Sequence, residues 1–290
     1  MNKTISKPKS TIPKKHPLEQ SLFYKLHKIS QIEALVSFNF ADIETITNQS
    51  NYRPKKIAGR DTQLPKGKLR EIHRLIGNLL SRIKVPKYVF SQKGVSFIDN
   101  AIEHRGKHPV GKTDLSRFFP SISEEKIIQM FRDVFICPKD VATVLGKICS
   151  YNGHLPTGSY ISGYIAFFCA KPMFDEIEKI CTARNIKMTV FVDDITFSGT
   201  AVNQVFLQTI KRVIKRHGFI CKRKKTKLYQ ASDTKKITGV ILVGTSVRVP
   251  NSLHHKAYSA RKLLKHSPNK KLERSYIGQK QHHFQILKHN

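Results

Sequence analysis

Two adjacent aspartates, Asp193 and Asp194, interrupt the apolar run Met188-Thr-Val-Phe-Val-Asp-Asp-Ile-Thr-Phe-Ser198. Acids are scarce in this chain, 20 Asp and Glu in 290 residues, so a pair set among β-formers invites a chemical reading. Two such charges are tolerated where a divalent cation holds them. Carboxylate oxygens on a rigid turn suit Mg2+, a hard ion that keeps several waters. Read alone, the pair also fits an ordinary β-turn. A third carboxylate, Asp114, ends the short run Val110–Thr113 and by itself also fits a turn or helix start. Carboxylates from neighbouring strands can bridge two metal ions about 3.5–4 Å apart, the arrangement of two-metal phosphoryl transfer. Asp114 and the 193–194 pair can meet only if their strands are neighbours in one sheet.

The surrounding pattern supplies such strands. Residues 188–198 read as strand, tight turn, strand, and 109–114 as a strand. Ser123 is placed to cap a helix that opens with Glu124 and Glu125, acids in the turn where the helix dipole favours them. Further helices are expected over 139–150, 161–183 and 203–217, the last ending at Gly218. A second hairpin is expected over 237–249, turning at 244–246. Upstream, Leu18, Leu22, Phe23, Leu26 and Ile29 recur at helical spacing, and 18–50 reads as helical. Residues 51–68 read as loop or hairpin, and Leu69 to Ile83 as an amphipathic helix ended by Pro86. Strands mixed with helices around a central hairpin indicate an α+β fold with an antiparallel sheet.

Charge is the dominant bulk property. Lys and Arg number 52 against 20 acids, a formal charge of +32. So large a surplus repels itself unless a polyanion lies against it, which points to nucleic acid. The Lys-rich start, 1–17, has no apolar core and reads as a flexible basic arm, not a secretory signal. The five cysteines, an odd number with no C-x-x-C, support neither a disulfide framework nor a zinc knuckle and point to a reducing, cytoplasmic setting. No apolar stretch is long enough to cross a bilayer, so no membrane partner is expected. No serine-nucleophile elbow, Walker lysine loop or H-E-x-x-H occurs.

Six short segments, in order, carry a family resemblance. Asp114 with Phe118-Phe119-Pro120, Leu155-Pro156-Thr157-Gly158-Ser159 with Ser162, and Phe191-Val192-Asp193-Asp194 resemble the palm motifs of reverse transcriptases. Asn100-Ala101-x-x-His104 and Ile237-Thr238-Gly239 resemble elements of bacterial retron reverse transcriptases in particular, and Arg60 with Pro65 and Leu69-Arg70 resembles the arginine-to-helix part of the fingers. The resemblance covers roughly residues 50–250. It implies a right-hand polymerase: N-terminal helices and fingers over 18–109, palm over 110–247 with a fingers-like helical insertion around 123–155, and a short basic thumb over 248–290. There are departures. The usual Y-x-D-D is Phe-Val-Asp-Asp here. Thr157, Tyr160 and Gly163 stand where glutamine and two prolines are common, and Lys222 where asparagine is.

The resemblance assigns roles. Asp114, Asp193 and Asp194 are the expected catalytic carboxylates and ligands of two Mg2+ ions. Phe119, Gly158, Arg60 and Lys225 are the expected nucleotide-binding set. In that set Phe119 discriminates against a ribose 2′-OH, Arg60 clamps the triphosphate, and Lys225 protonates pyrophosphate. From the residues alone, Phe119 is equally a core ring, since one of Phe118 and Phe119 must be, and Lys225 equally a phosphate contact. Arg60 is equally a solvated loop arginine. Asn100 and His104, with no nucleophile beside them, are expected to be structural or RNA-contacting. Lys222, Arg223, Lys224, Arg261 and Lys262 belong to the basic stretches expected to hold RNA, where Tyr258, Tyr276 and Phe284 either stack on bases or pack inside a small helical module. The implied activity is copying of a dedicated structured noncoding RNA into RNA-linked single-stranded DNA from deoxynucleoside triphosphates, in antiphage defence with an effector protein. The competing readings are an inactive RNA-binding scaffold of the same fold, and a non-retron bacterial enzyme of the abortive-infection or group II intron type.

Overall fold

The structure, a computed structural model, describes residues 14–57, 59–266 and 269–289. The expected basic arm therefore lies outside the described residues as far as residue 13. Two compact units divide the chain. The first holds the described residues up to Pro86, Gln92–Gly94 and Phe119–Cys169. The second holds Lys87–Ser91, Val95–Phe118 and the described residues from Ala170 onward. This grouping cuts across the boundaries expected at 109 and 247.

The first unit contains α1 (Ile29–Val36), α2 (Ile43–Thr47), the antiparallel hairpin β1 (Tyr52–Ile57) and β2 (Arg60–Pro65), α3 (Gly67–Ser81), α5 (Glu124–Asp133), α6 (Lys139–Cys149) and the start of α7 (Ser162–Thr182). In α3 the apolar stripe Leu69, Ile72, Ile76 and Leu80 is buried while Arg70 and Arg74 face solvent, as its periodicity dictates. Ser123 caps α5 by accepting the Lys126 amide at 3.3 Å. Phe23 packs against Phe131 and Phe135 with ring centroids 6.0 and 6.2 Å apart, and Phe135 meets Phe168 at 5.2 Å. That aromatic cluster overrides the helical spacing over 18–29. Only a single 3-10 turn forms at Leu18–Gln20, Lys25 takes a φ of 55°, and Leu22 is left exposed while Phe23 is fully buried.

The second unit contains α4 (Phe97–Ile102), β3 (Val110–Asp114), the end of α7, β4 (Lys187–Phe191), β5 (Asp194–Ser198), α8 (Gln204–Arg216), β6 (Lys227–Tyr229), β7 (Lys235–Ile237), β8 (Val240–Val243), β9 (Ser246–Arg248), α9 (Asn251–His266) and α10 (Lys270–Leu287). Its main sheet is antiparallel in the order β4-β5-β3-β6. Gly111 lets α8 lie close on β3: a Cβ there would stand 2.8 Å from Leu207 Cδ2. The second sheet, β7-β8-β9, shares a core with α4, β3 and α10 through Ile98, Val110, Ile237, Leu242 and Ile286. Its first turn is the two-residue pair Thr238–Gly239, both at positive φ, the backbone a tight hairpin needs.

Two buried histidines lock these units internally. His104, fully buried, meets Ser198 Oγ on β5 through Nδ1 and Thr189 Oγ1 on β4 through Nε2, both at 2.7 Å. His73, on α3, donates from Nε2 to the Ile148 carbonyl and accepts at Nδ1 from the Ser159 hydroxyl, again at 2.7 Å each. Burial lowers the His104 pKa to about 3 and the His73 pKa to about 4. Folded pKa values below the unfolded one mean that their contribution is fully present above pH 6.5. It is lost as pH falls and the unfolded chain takes up protons the folded chain refuses. Between pH 6.5 and 5 each histidine should remove about 1.5 kcal/mol of stability. Urea unfolding at the two pH values checks this. His104→Gln should flatten the pH dependence of the second unit, and an unchanged slope refutes the assignment.

Candidate active site

The three acids converge because of strand register. Asp114, the last residue of β3, pairs directly with Asp194, the first of β5, and Asp194 in turn pairs with Phe191 at the end of β4. Directly opposed residues of an antiparallel pair have Cα atoms roughly 4.5–5.5 Å apart. The β4–β5 turn is Val192–Asp193, with Val192 at a φ of 59°. Left-handed backbone at a β-branched residue is strained, and such strain persists only where surrounding structure imposes it. One tie is visible: the Leu115 amide donates to the Asp193 carbonyl at 2.8 Å. On the other side of β3 the Lys222 amide donates to the Asp114 carbonyl at 2.7 Å, and the Thr113 and Thr226 hydroxyls meet at 2.9 Å.

Three lysines answer the three carboxylates. Lys222 Nζ lies 2.6 Å from Asp114 Oδ1 and 3.8 Å from Asp193 Oδ2. Lys225 Nζ donates to Asp114 Oδ2 at 2.5 Å, and Lys112 Nζ to Asp194 Oδ2 at 3.4 Å. Burial raises the pKa values of Asp193 and Asp194, and the neighbouring Asp114 adds to both, against the pull of Lys222 on Asp193 and of Lys112 on Asp194. The Lys225 pKa is raised, chiefly by its hydrogen bond to Asp114, so this lysine holds its proton firmly. Among the described residues no three acid, imidazole or thiol groups stand at metal-ligand spacing, and each of these carboxylates is paired with an ammonium. The donor set nevertheless fits divalent cations. It is all carboxylate oxygen, Asp194 Oδ1 is buried without a hydrogen-bond partner, and one ammonium already stands between Asp114 and Asp193.

The other expected site residues fall in several places. Phe118 is the core ring, 5.8 Å from Phe219, and Phe119 is half-buried at the start of a first-unit segment. Arg60 is exposed at the start of β2. Gly158, also in the first unit, has a φ of 95° and lies against Thr62 and Leu64 of β2. Its turn is held by Gln63, whose amide donates to the Thr157 carbonyl and whose Oε1 accepts the Thr157 amide, both at 2.8 Å. Arg223, Lys224, Arg261 and Lys262 are exposed, as an RNA contact requires. Asn100 and His104 correct the reading as RNA contacts. Both are fully buried, His104 spends both ring nitrogens on the sheet, and Asn100 Nδ2 reaches Thr238 Oγ1 at 3.4 Å. Lys222, expected on RNA, is instead engaged with the acids. Lys112 escaped the sequence reading, although a residue two before Asp114 on a strand must share its face.

A half-buried acid whose pKa is raised costs stability when ionised. Asp193→Asn should therefore raise the thermal midpoint in metal-free buffer at pH 7. A lowered midpoint contradicts the electrostatic account. Gly158→Ala should lower the midpoint by about 2–4 °C, the shift that about 1 kcal/mol gives a domain of this size, since alanine is strained at positive φ and its Cβ would sit 3.2 Å from Leu64 Cδ2.

A family model described as reverse transcriptase (RNA-dependent DNA polymerase) matches residues 48–242. Retron Ec86 reverse transcriptase of Escherichia coli is 28% identical over 180 residues, 60% of this chain and 56% of that protein. Retron Ec48 reverse transcriptase, also of Escherichia coli, is 26% identical over 159 residues, 53% of this chain and 39% of that protein. The chain spans about half the length of the curated relatives it matches, or less. Among solved structures, apo telomerase from Candida tropicalis truncated from its C-terminal domain matches with a TM-score of 0.47 at 12% identity, over 69% of this chain and 54% of that one.

Proposed function

This chain belongs to the reverse transcriptase family, and on that premise we propose that it is an RNA-directed DNA polymerase of the retron type. The observation that carries the reading is the meeting of Asp114 with Asp194 in register while Asp114 and Asp193 flank one ammonium. Asp114, Asp193 and Asp194 would hold the divalent cations, Mg2+ by the hardness of the donors. Bound there, such ions would supply Lewis acidity toward hydroxyl and phosphate oxygens. The chain's own groups do the rest. Lys225, whose Nζ lies 2.5 Å from Asp114 Oδ2, is assigned to the leaving pyrophosphate, as proton donor or as phosphate contact. The family resemblance alone carries the assignment of Phe119, Arg60 and Gly158, all in the first unit, to nucleotide binding.

The exposed lysines and arginines over 211–227 and on α9 hold nucleic acid by its phosphates, with Tyr258 exposed among them as a stacking ring. The relatives are named as retron reverse transcriptases. We assign this chain an activity of the same class. It copies a structured noncoding RNA into RNA-linked single-stranded DNA, in the cytoplasm, in antiphage defence with an effector protein. No described helix is long and apolar enough to cross a membrane.

The test is primer extension by the purified chain on the RNA that copurifies with it, with Mg2+ and deoxynucleotides. Extension should fall by about a thousandfold in Asp193→Asn, the loss expected when several kcal/mol of charge stabilisation is removed. Absence of extension by the unaltered chain on that RNA supports the scaffold reading instead. Sequencing the bound nucleic acid decides the subtype, since a short branched RNA–DNA hybrid is expected of a retron and an unbranched copy is not.

A further inference from the structure

Lys222 occupies a singular place. Its backbone is pinned to the end of β3 by the hydrogen bond from its amide to the Asp114 carbonyl. Its side chain then turns back so that Nζ stands 2.6 Å from Asp114 Oδ1 and 3.8 Å from Asp193 Oδ2. Lys225 reaches Asp114 by its other oxygen and is half exposed, and Lys112 reaches Asp194. Among the described ion pairs, Lys222 alone joins two of the carboxylates.

We propose that Lys222 is a resident counter-cation of the Asp114–Asp193 pair, and that divalent-cation binding is an exchange in which its ammonium must leave. This rests on the reading of the three acids as cation ligands. Two carboxylates brought together away from bulk water repel each other, and an ammonium between them relieves that repulsion when no metal is present. The same ammonium lies against the oxygens that a divalent ion needs. A divalent ion therefore gains the two carboxylates only at the expense of an existing ion pair, and the affinity of the site is set lower than its three carboxylates alone would give. The backbone tether limits how far the displaced ammonium can travel. With its amide still bonded to Asp114, Lys222 stays beside the site, a mobile positive charge within reach of whatever anion arrives there.

The probe is Mn2+ alone, titrated into the metal-free full chain at low salt, with free Mn2+ read by electron paramagnetic resonance. Lys222→Asn should tighten Mn2+ binding by about tenfold, the effect of removing one competing unit charge at this range. Lys222→Arg, which keeps the charge, should stay within about twofold of the unaltered chain. Without metal, Lys222→Asn should melt lower than the unaltered chain, and Mn2+ should raise its midpoint by more, as linkage requires of a tighter ligand. Equal or weaker Mn2+ binding by Lys222→Asn overturns the proposal. Asp193→Asn separates the two levels. If it abolishes Mn2+ binding while Lys222→Asn changes nothing, the acids are the site and only the role of Lys222 falls. If Asp193→Asn binds Mn2+ like the unaltered chain, the reading of the acids falls and the proposal with it.

Discussion

Like charges do not gather in a protein interior unless something holds them there. In this chain the holder is the antiparallel register of β3 with β5, which sets Asp114 against Asp194, and the two-residue turn that adds Asp193. The cost is visible in three forms: the raised carboxyl pKa values, the left-handed Val192, and a buried oxygen of Asp194 that bonds to nothing. None of these helps the chain fold. Each is a feature that proteins keep at functional sites and offset elsewhere.

The offset is found in the rest of the second unit. β3 is clamped on both edges, by β5 and by β6, so its final residue cannot drift. Gly111 lets Leu207 of α8 lie close on the strand, and Phe206 of α8 packs its ring on Phe197 of β5, 5.2 Å between centroids. His104 ties β4 to β5 by its two hydroxyl partners, fixing the hairpin that carries Asp193 from the end opposite the turn. A neutral imidazole suits this place because one nitrogen donates and the other accepts, so both hydroxyls are satisfied without burying a charge. The element that resembles a sequence signature is thus a structural strut.

How much of this was legible in the sequence depended on how local each feature is. The acids were legible because strand alternation and the scarcity of carboxylates both mark them. The helices α3, α5, α6 and α8 were legible because their apolar stripes keep helical period. The partners of His104 were not, since Thr189 and Ser198 lie 85 and 94 residues away and hydroxyls are common. Lys222 stands out as a lysine where asparagine is common, but nothing local says that it folds back onto the acids while Arg223 and Lys224 stay in solvent. The stretch over 18–29 misled for the opposite reason. Its spacing is helical, but Phe23 gains more from an aromatic cluster than a short isolated helix could return.

The same distinction between side chain and backbone accounts for the departures in the Leu155–Gly163 segment. The bonds that hold this turn come from Gln63, His73 and Ser162: Gln63 grips both polar groups of the Thr157 backbone, His73 accepts from Ser159, and Ser162 Oγ joins the Ser159 amide to the Pro156 carbonyl. The three residues that differ from the common family pattern contribute no side chain to this set. Thr157 enters through its main chain, Tyr160 turns its ring to solvent at 62% exposure, and a Cβ added at Gly163 would meet nothing within 4 Å. Tyr160 even seats its carbonyl against Gly77 of α3, where a Cβ would come within 3.0 Å. The turn keeps its shape because its scaffold lies in residues that were retained or that sit elsewhere in the first unit. The altered positions are therefore free to change what the turn presents to a ligand without changing how it is built.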